Sequence, residues 1–124
     1  LMKIVKTIFF VLFALMFINA GLDKFLHYMP MPEMTPEMKP VFEAFGTLSW
    51  LTPLTGLIEL VAGILILFPK TRALGAIMIL PVMIGILCHN ATFMPSGLLI
   101  AGVLFLINLW MIGDNWKKYQ TMVS

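Results

Sequence analysis

From Ala73 to Gly113 the chain runs 41 residues without one charged side chain, and that stretch constrains everything else. As a single helix it would be about 60 Å long, roughly twice the hydrocarbon thickness of a bilayer. It must therefore turn back. The turn is legible at His89-Asn90-Ala91-Thr92-Phe93-Met94-Pro95-Ser96-Gly97, where polar residues, a proline and a glycine cluster. The spans implied are about 72–89 and 96–113. Lipid offers the backbone no hydrogen-bond partner, so each span must satisfy its own N–H and C=O groups as a helix.

Two further apolar stretches, about 3–23 and 49–68, complete an all-α bundle of four transmembrane helices. Lys3 and Lys6 lead the first, and the second carries a single charge, Glu59. Composition agrees: 60% of residues are hydrophobic and 11% charged, against about 45–50% and 25% in soluble domains. That excludes an ordinary soluble enzyme. A length of 124 residues suits one domain, 1–124. The first stretch also has the basic start, apolar centre and small Ala20 of a secretory leader. Bulky Ile18 argues against cleavage, so a retained first helix is expected. One cysteine, Cys88, excludes an internal disulfide or multi-cysteine metal site. A net charge of +2 on scattered basic residues gives no footprint for nucleic acid.

Orientation follows from the basic residues. With both termini inside, Lys3, Lys6, Lys70, Arg72, Lys117 and Lys118 are cytoplasmic, six of the eight Lys and Arg. Lys24 and Lys39 fall in a long first outer loop, 24–48. Its Met29–Pro40 section holds Pro30, Pro32, Pro36, Pro40 and four methionines, and is expected to be mostly extended. Clustered thioethers point to Cu(I); the simpler reading puts apolar side chains at headgroup depth or against a partner. Residues 40–45 suit a short interfacial helix. Trp50, Trp110 and Trp116 lie near span ends, where interfacial aromatics belong. No internal repeat is evident.

A charge near the bilayer centre costs roughly 2.5–3.5 kcal/mol on insertion scales, so Glu59 is a candidate functional residue. Thr52, Gly56, Glu59 and Gly63 share one helical face, whose small residues let a neighbour approach closely. Glu59 is therefore expected to point into the bundle and to be protonated or hydrogen-bonded, because burial penalises the ionised form. The polar residues nearest in depth are Asn19, Asp23 and Lys24 on the first helix and His89 and Asn90 at the end of the third. The expected site is an outward-opening polar pocket with Glu59 as its floor and Asn19, Asp23, Lys24 and His89 around it. Duller readings stand beside it. Glu59 bonded to Asn19 would merely join helices, Asp23 with Lys24 would be an interfacial ion pair, and His89 would be a helix C-terminal cap. Pro81, Gly85 and His89 are spaced by four, and Pro81 frees the Ile77 carbonyl. Asn108 suits a packing hydrogen bond and Cys88 a small buried apolar residue. Only His89 and Glu59 offer metal ligands, too few for a site, so no metal is expected.

In order along the chain come Gly21-Leu-Asp-Lys24-Phe25, Glu59-Leu-Val-Ala-Gly63, Thr71-Arg72-Ala-Leu-Gly75 at the inner turn, and His89 at the end of the third helix. This succession resembles the DoxX family of small four-helix membrane proteins over roughly residues 15–90. Lys3 and Lys6 stand where an arginine is common in that family, and the Pro/Met-rich loop is a departure. The resemblance implies a bundle in the bacterial cytoplasmic membrane and marks Lys24, Glu59 and His89 as the matching polar residues. It implies an accessory or structural subunit of a larger membrane complex, with the lipid bilayer and a membrane protein or a second copy as partners. The alternative it implies is the membrane subunit of a thiosulfate:quinone type oxidoreductase. No intrinsic cofactor is expected; a quinone is the one such a pocket would suit. A small transporter ranks last, since alternating access is hard to build without an inverted repeat.

Overall fold

The computed structural model describes residues 2–28, 36 and 38–123. Most of the Pro/Met-rich section, 29–35 and 37, for which an extended chain was expected, lies outside the described residues. The elements are α1 (Met2–Leu26), α2 (Lys39–Leu48), α3 (Leu51–Leu67), α4 (Arg72–Phe93), α5 (Leu98–Asp114) and a short α6 (Trp116–Gln120), with a 3₁₀ turn, Pro95–Gly97, leading into α5. Among the described residues there is no strand.

Among the described residues, three helical segments are long and apolar enough to cross a bilayer: Met2–Leu26, Arg72–Phe93 and Pro95–Asp114. A fourth span exists if α2 and α3, bent by 86° at their junction, are taken together. At 17 residues, α3 alone reaches about 25 Å, short of the hydrocarbon core. The break falls at Ser49, whose φ of 48° is left-handed, so the helix expected from residue 49 begins at Leu51. α1 runs three residues beyond the expected end, which makes Lys24 a helical residue and not a loop one. α4 continues a full turn past His89 to Phe93, so His89 is not the helix cap; Met94 N–H closes the end on the Asn90 carbonyl.

α1 and α3 each bury one stripe. On α1 it is Phe10, Phe13, Ala14, Phe17 and Gly21; on α3 it is Gly56, Glu59, Ala62, Gly63 and Ile66. The two stripes meet nearly backbone to backbone. A Cβ on Gly21 would stand 2.6 Å from the Gly56 carbonyl oxygen, and one on Gly63 would stand 2.9 Å from the Ala14 oxygen. α4 docks on the other side of α3, α5 on α4, and α5 returns to touch α1 through Trp110 on Phe10 and an ion pair of Lys6 with Asp114 at 2.8 Å. That pair is partly exposed, and such pairs contribute about 0–1 kcal/mol. Asn108, fully buried, donates to the Ala76 carbonyl at 3.0 Å and joins α5 to α4. Tyr119 fastens α6 by donating to the Ala73 carbonyl at 2.6 Å, and burial pushes its phenol up. The outward faces stay apolar, for example Leu12, Leu15 and Met16 on α1 and Leu99, Ile100 and Leu106 on α5. Cys88, expected to be buried, is exposed. It lies a heptad beyond Pro81 and two beyond Leu74, on the outward stripe of α4.

The Thr71-Arg72 turn has a plain structural job. The last carbonyls of α3 have no helical N–H to meet. Thr71 Oγ1 donates to Leu65 O at 2.6 Å and Arg72 Nε to Ile66 O at 2.8 Å. The buried guanidinium also lies over the Phe10 ring, 5.2 Å from its centroid. Arg72→Met should lose the charged hydrogen bond and the ring contact together, about 2–3 kcal/mol, read as a lower melting temperature of the detergent-solubilised protein.

Candidate functional site

The last turn of α1 carries Lys24 on the same side as Gly21 and Phe17, which precede it by three and seven residues. Its ammonium reaches across to α3 and donates to both carboxylate oxygens of Glu59, at 3.0 and 2.8 Å. Gly56, one turn before Glu59, makes room for the lysine stem: a Cβ there would sit 3.0 Å from Lys24 Cβ. The glutamate is 3% exposed and the lysine 28%, so the acid is inside and the base reaches the edge. The Glu59 carboxylate is thus met by Lys24 from α1, where the sequence points to Asn19. Asn19 lines neither cleft described below. It is exposed and bonded to the Tyr28 hydroxyl through its side-chain and main-chain oxygens.

Two clefts flank the pair. The larger, about 520 Å³, lies between α3 and α4; Lys24 and Glu59 sit at one side, His89 and Asn90 at the other. Its walls are mostly apolar, with Leu54, Ile58, Pro81, Val82 and Ile86 among them. The smaller, about 480 Å³, is bounded by α1, α2 and α3 and takes in Asp23, Lys24, His27 and Thr52. Phe45 of α2 borders both and packs against the His89 ring at 6.0 Å between centroids. The structure thus places Glu59, Lys24 and His89 around one cleft and Asp23 in the neighbouring one.

A match to the DoxX family model covers residues 7–90, about two thirds of the chain, from the first turns of α1 into the last turn of α4. The chain belongs to the DoxX family. Comparisons with curated proteins and with solved structures found no match. In this DoxX protein the matched region contains the whole Lys24–Glu59 pair and His89, while α5 and α6 lie beyond it. Among the described residues no three His, Cys, Asp or Glu side chains converge on a point that could hold a metal ion.

Sequence reasoning missed His27, Phe45 and Thr55 as cleft residues. Phe45 is placed by the bend at Ser49, which no local pattern announced. The Lys24–Glu59 pairing did leave a signal. The buried heptad from Phe10 to Phe17 extends to Lys24, which puts the lysine on the α3-facing stripe.

Proposed function

We propose that this DoxX-family protein is an accessory subunit of a larger membrane-bound complex in the bacterial cytoplasmic membrane, with both termini inside. It offers the α3–α4 cleft as a binding site for an apolar group carrying a polar end. The supporting observation is the Lys24–Glu59 pair, a fixed charge pair at the side of an otherwise apolar cleft. Such a pair presents an ammonium and a carboxylate edge to whatever occupies the cleft, already desolvated and oriented. The test is a photo-crosslinking residue at Ile86, inside the cleft, in intact membranes. The expected product is an adduct with one membrane protein that also co-purifies with the subunit in fixed ratio. Adducts with lipid alone would remove the accessory role.

A second reading, a quinone-linked oxidoreductase subunit of the thiosulfate:quinone type, is favoured by His89 bordering the same cleft as the ion pair. The donor set fits a quinone: Lys24 and His89 can each donate to a ring carbonyl, and Ile58, Val82 and Ile86 can hold the ring. A bound quinone would supply two-electron, two-proton redox chemistry; the side chains would hold the ring and keep water from it. His89→Leu and Glu59→Gln are each expected to slow quinol-linked turnover of the membranes about 10–100-fold, the usual effect of losing a positioned proton-handling group. Unchanged rates in both would dismiss the quinone.

A further inference from the structure

We propose that the end of the bundle formed by the α3–α4 turn and α6 holds the phosphate of an anionic phospholipid, such as phosphatidylglycerol, between Lys70 and the two α6 lysines. The proposal stands whatever fills the α3–α4 cleft. Charge comes first. Lys3, Lys6, Lys70, Arg72, Lys117 and Lys118 gather at this end, and Asp114 is the one acidic side chain there among the described residues. Asp114 is already engaged: Lys6 pairs with it at 2.8 Å, and Arg72 is close enough to act on it electrostatically. Arg72 itself gives N–H groups to the α3 carbonyls. Lys70 and Lys117, by contrast, meet no hydrogen-bond or ion-pair partner among the described residues. Lys118 gives one N–H to the Pro69 carbonyl at 3.3 Å, which leaves it two more.

The fold turns these charges into a site. α6 is folded back under the α3–α4 turn by two bonds, from Tyr119 to the Ala73 carbonyl and from Lys118 to the Pro69 carbonyl. Lys70, the residue after Pro69, therefore lies beside α6. The α5–α6 corner is concave, a cleft of about 580 Å³ lined by Asp114, Trp116, Lys117 and Lys118 among others. Depth selects the partner. α3 ends at Leu67, α4 begins at Arg72 and α5 ends at Asp114, and Phe68 and Trp116 are exposed at that level, as aromatics are at the bilayer–water boundary. The lysines thus stand where lipid phosphates lie, and basic residues next to a span attract anionic headgroups. A zwitterionic headgroup brings its own cation, which unpaired ammonium groups repel.

The full-length protein, purified in detergent and equilibrated with equal fractions of dioleoyl phosphatidylglycerol and dioleoyl phosphatidylcholine, tests this by native mass spectrometry. Phosphatidylglycerol should be retained about tenfold over phosphatidylcholine, the size of one charge-assisted hydrogen bond. Lys70→Gln and Lys117→Gln should each lower that preference about fivefold, the usual share of one basic residue at an anionic surface. Tyr119→Phe keeps every charge but releases α6 from α4, and should lower it about threefold, a neutral hydrogen bond's worth. Lys39→Gln, on exposed α2 at the other end of the bundle, makes the same change in net charge and should leave the preference unchanged. Excess inorganic phosphate should not displace the lipid. Equal retention of the two lipids, a preference untouched by Lys70→Gln and Lys117→Gln, an equal loss in Lys39→Gln, or displacement by free phosphate would overturn the assignment.

Discussion

Lys24→Met is expected to destabilise the bundle by about 3 kcal/mol, the low end for breaking a buried ion pair, because it strands a carboxylate with no access to water. The low end applies because the lysine itself is 28% exposed. The reverse substitution should be milder. Glu59→Leu leaves an ammonium on a flexible stem that can reach the headgroup region, and should cost about 1 kcal/mol. The double variant Lys24→Met/Glu59→Leu should recover most of the loss, since two apolar side chains need no partner. Unfolding titrations in mixed micelles measure all three. A loss in the double variant equal to the sum of the two single losses would mean that the pair carries no net coupling.

Gly21→Ala should cost about 2 kcal/mol net, although alanine favours a helix over glycine by about 1 kcal/mol. The new Cβ would stand 2.6 Å from Gly56 O and 2.8 Å from Leu60 N. Both are backbone atoms of α3, so neither can rotate away, and α1 must move outward. That movement also lengthens the reach from Lys24 to Glu59, three residues further along α1. Gly102→Ala is the matched control on α5. Nothing lies within 4 Å of a Cβ there, and the same exchange should stabilise by about 0.5–1 kcal/mol. A loss at Gly102 equal to that at Gly21 would show that the α1–α3 approach is not what glycine serves.

The sequence by itself determined that the protein is helical with apolar segments long enough to cross a membrane, that Glu59 points inward and that the chain resembles DoxX. These follow from charge-free runs, from turn residues at 89–97 and from a stripe of small residues on one helical face, all local signals. Only the tertiary structure decided who meets Glu59. Adjacency in sequence makes Asp23 the visible partner for Lys24, and a reach across 35 residues is not visible. The bend at Ser49 that brings Phe45 onto His89, and the extra turn that keeps His89 within α4, are also beyond local pattern. A buried charge advertises that it needs a partner, but the partner's identity depends on which backbones can come close enough, and that is a property of packed helices.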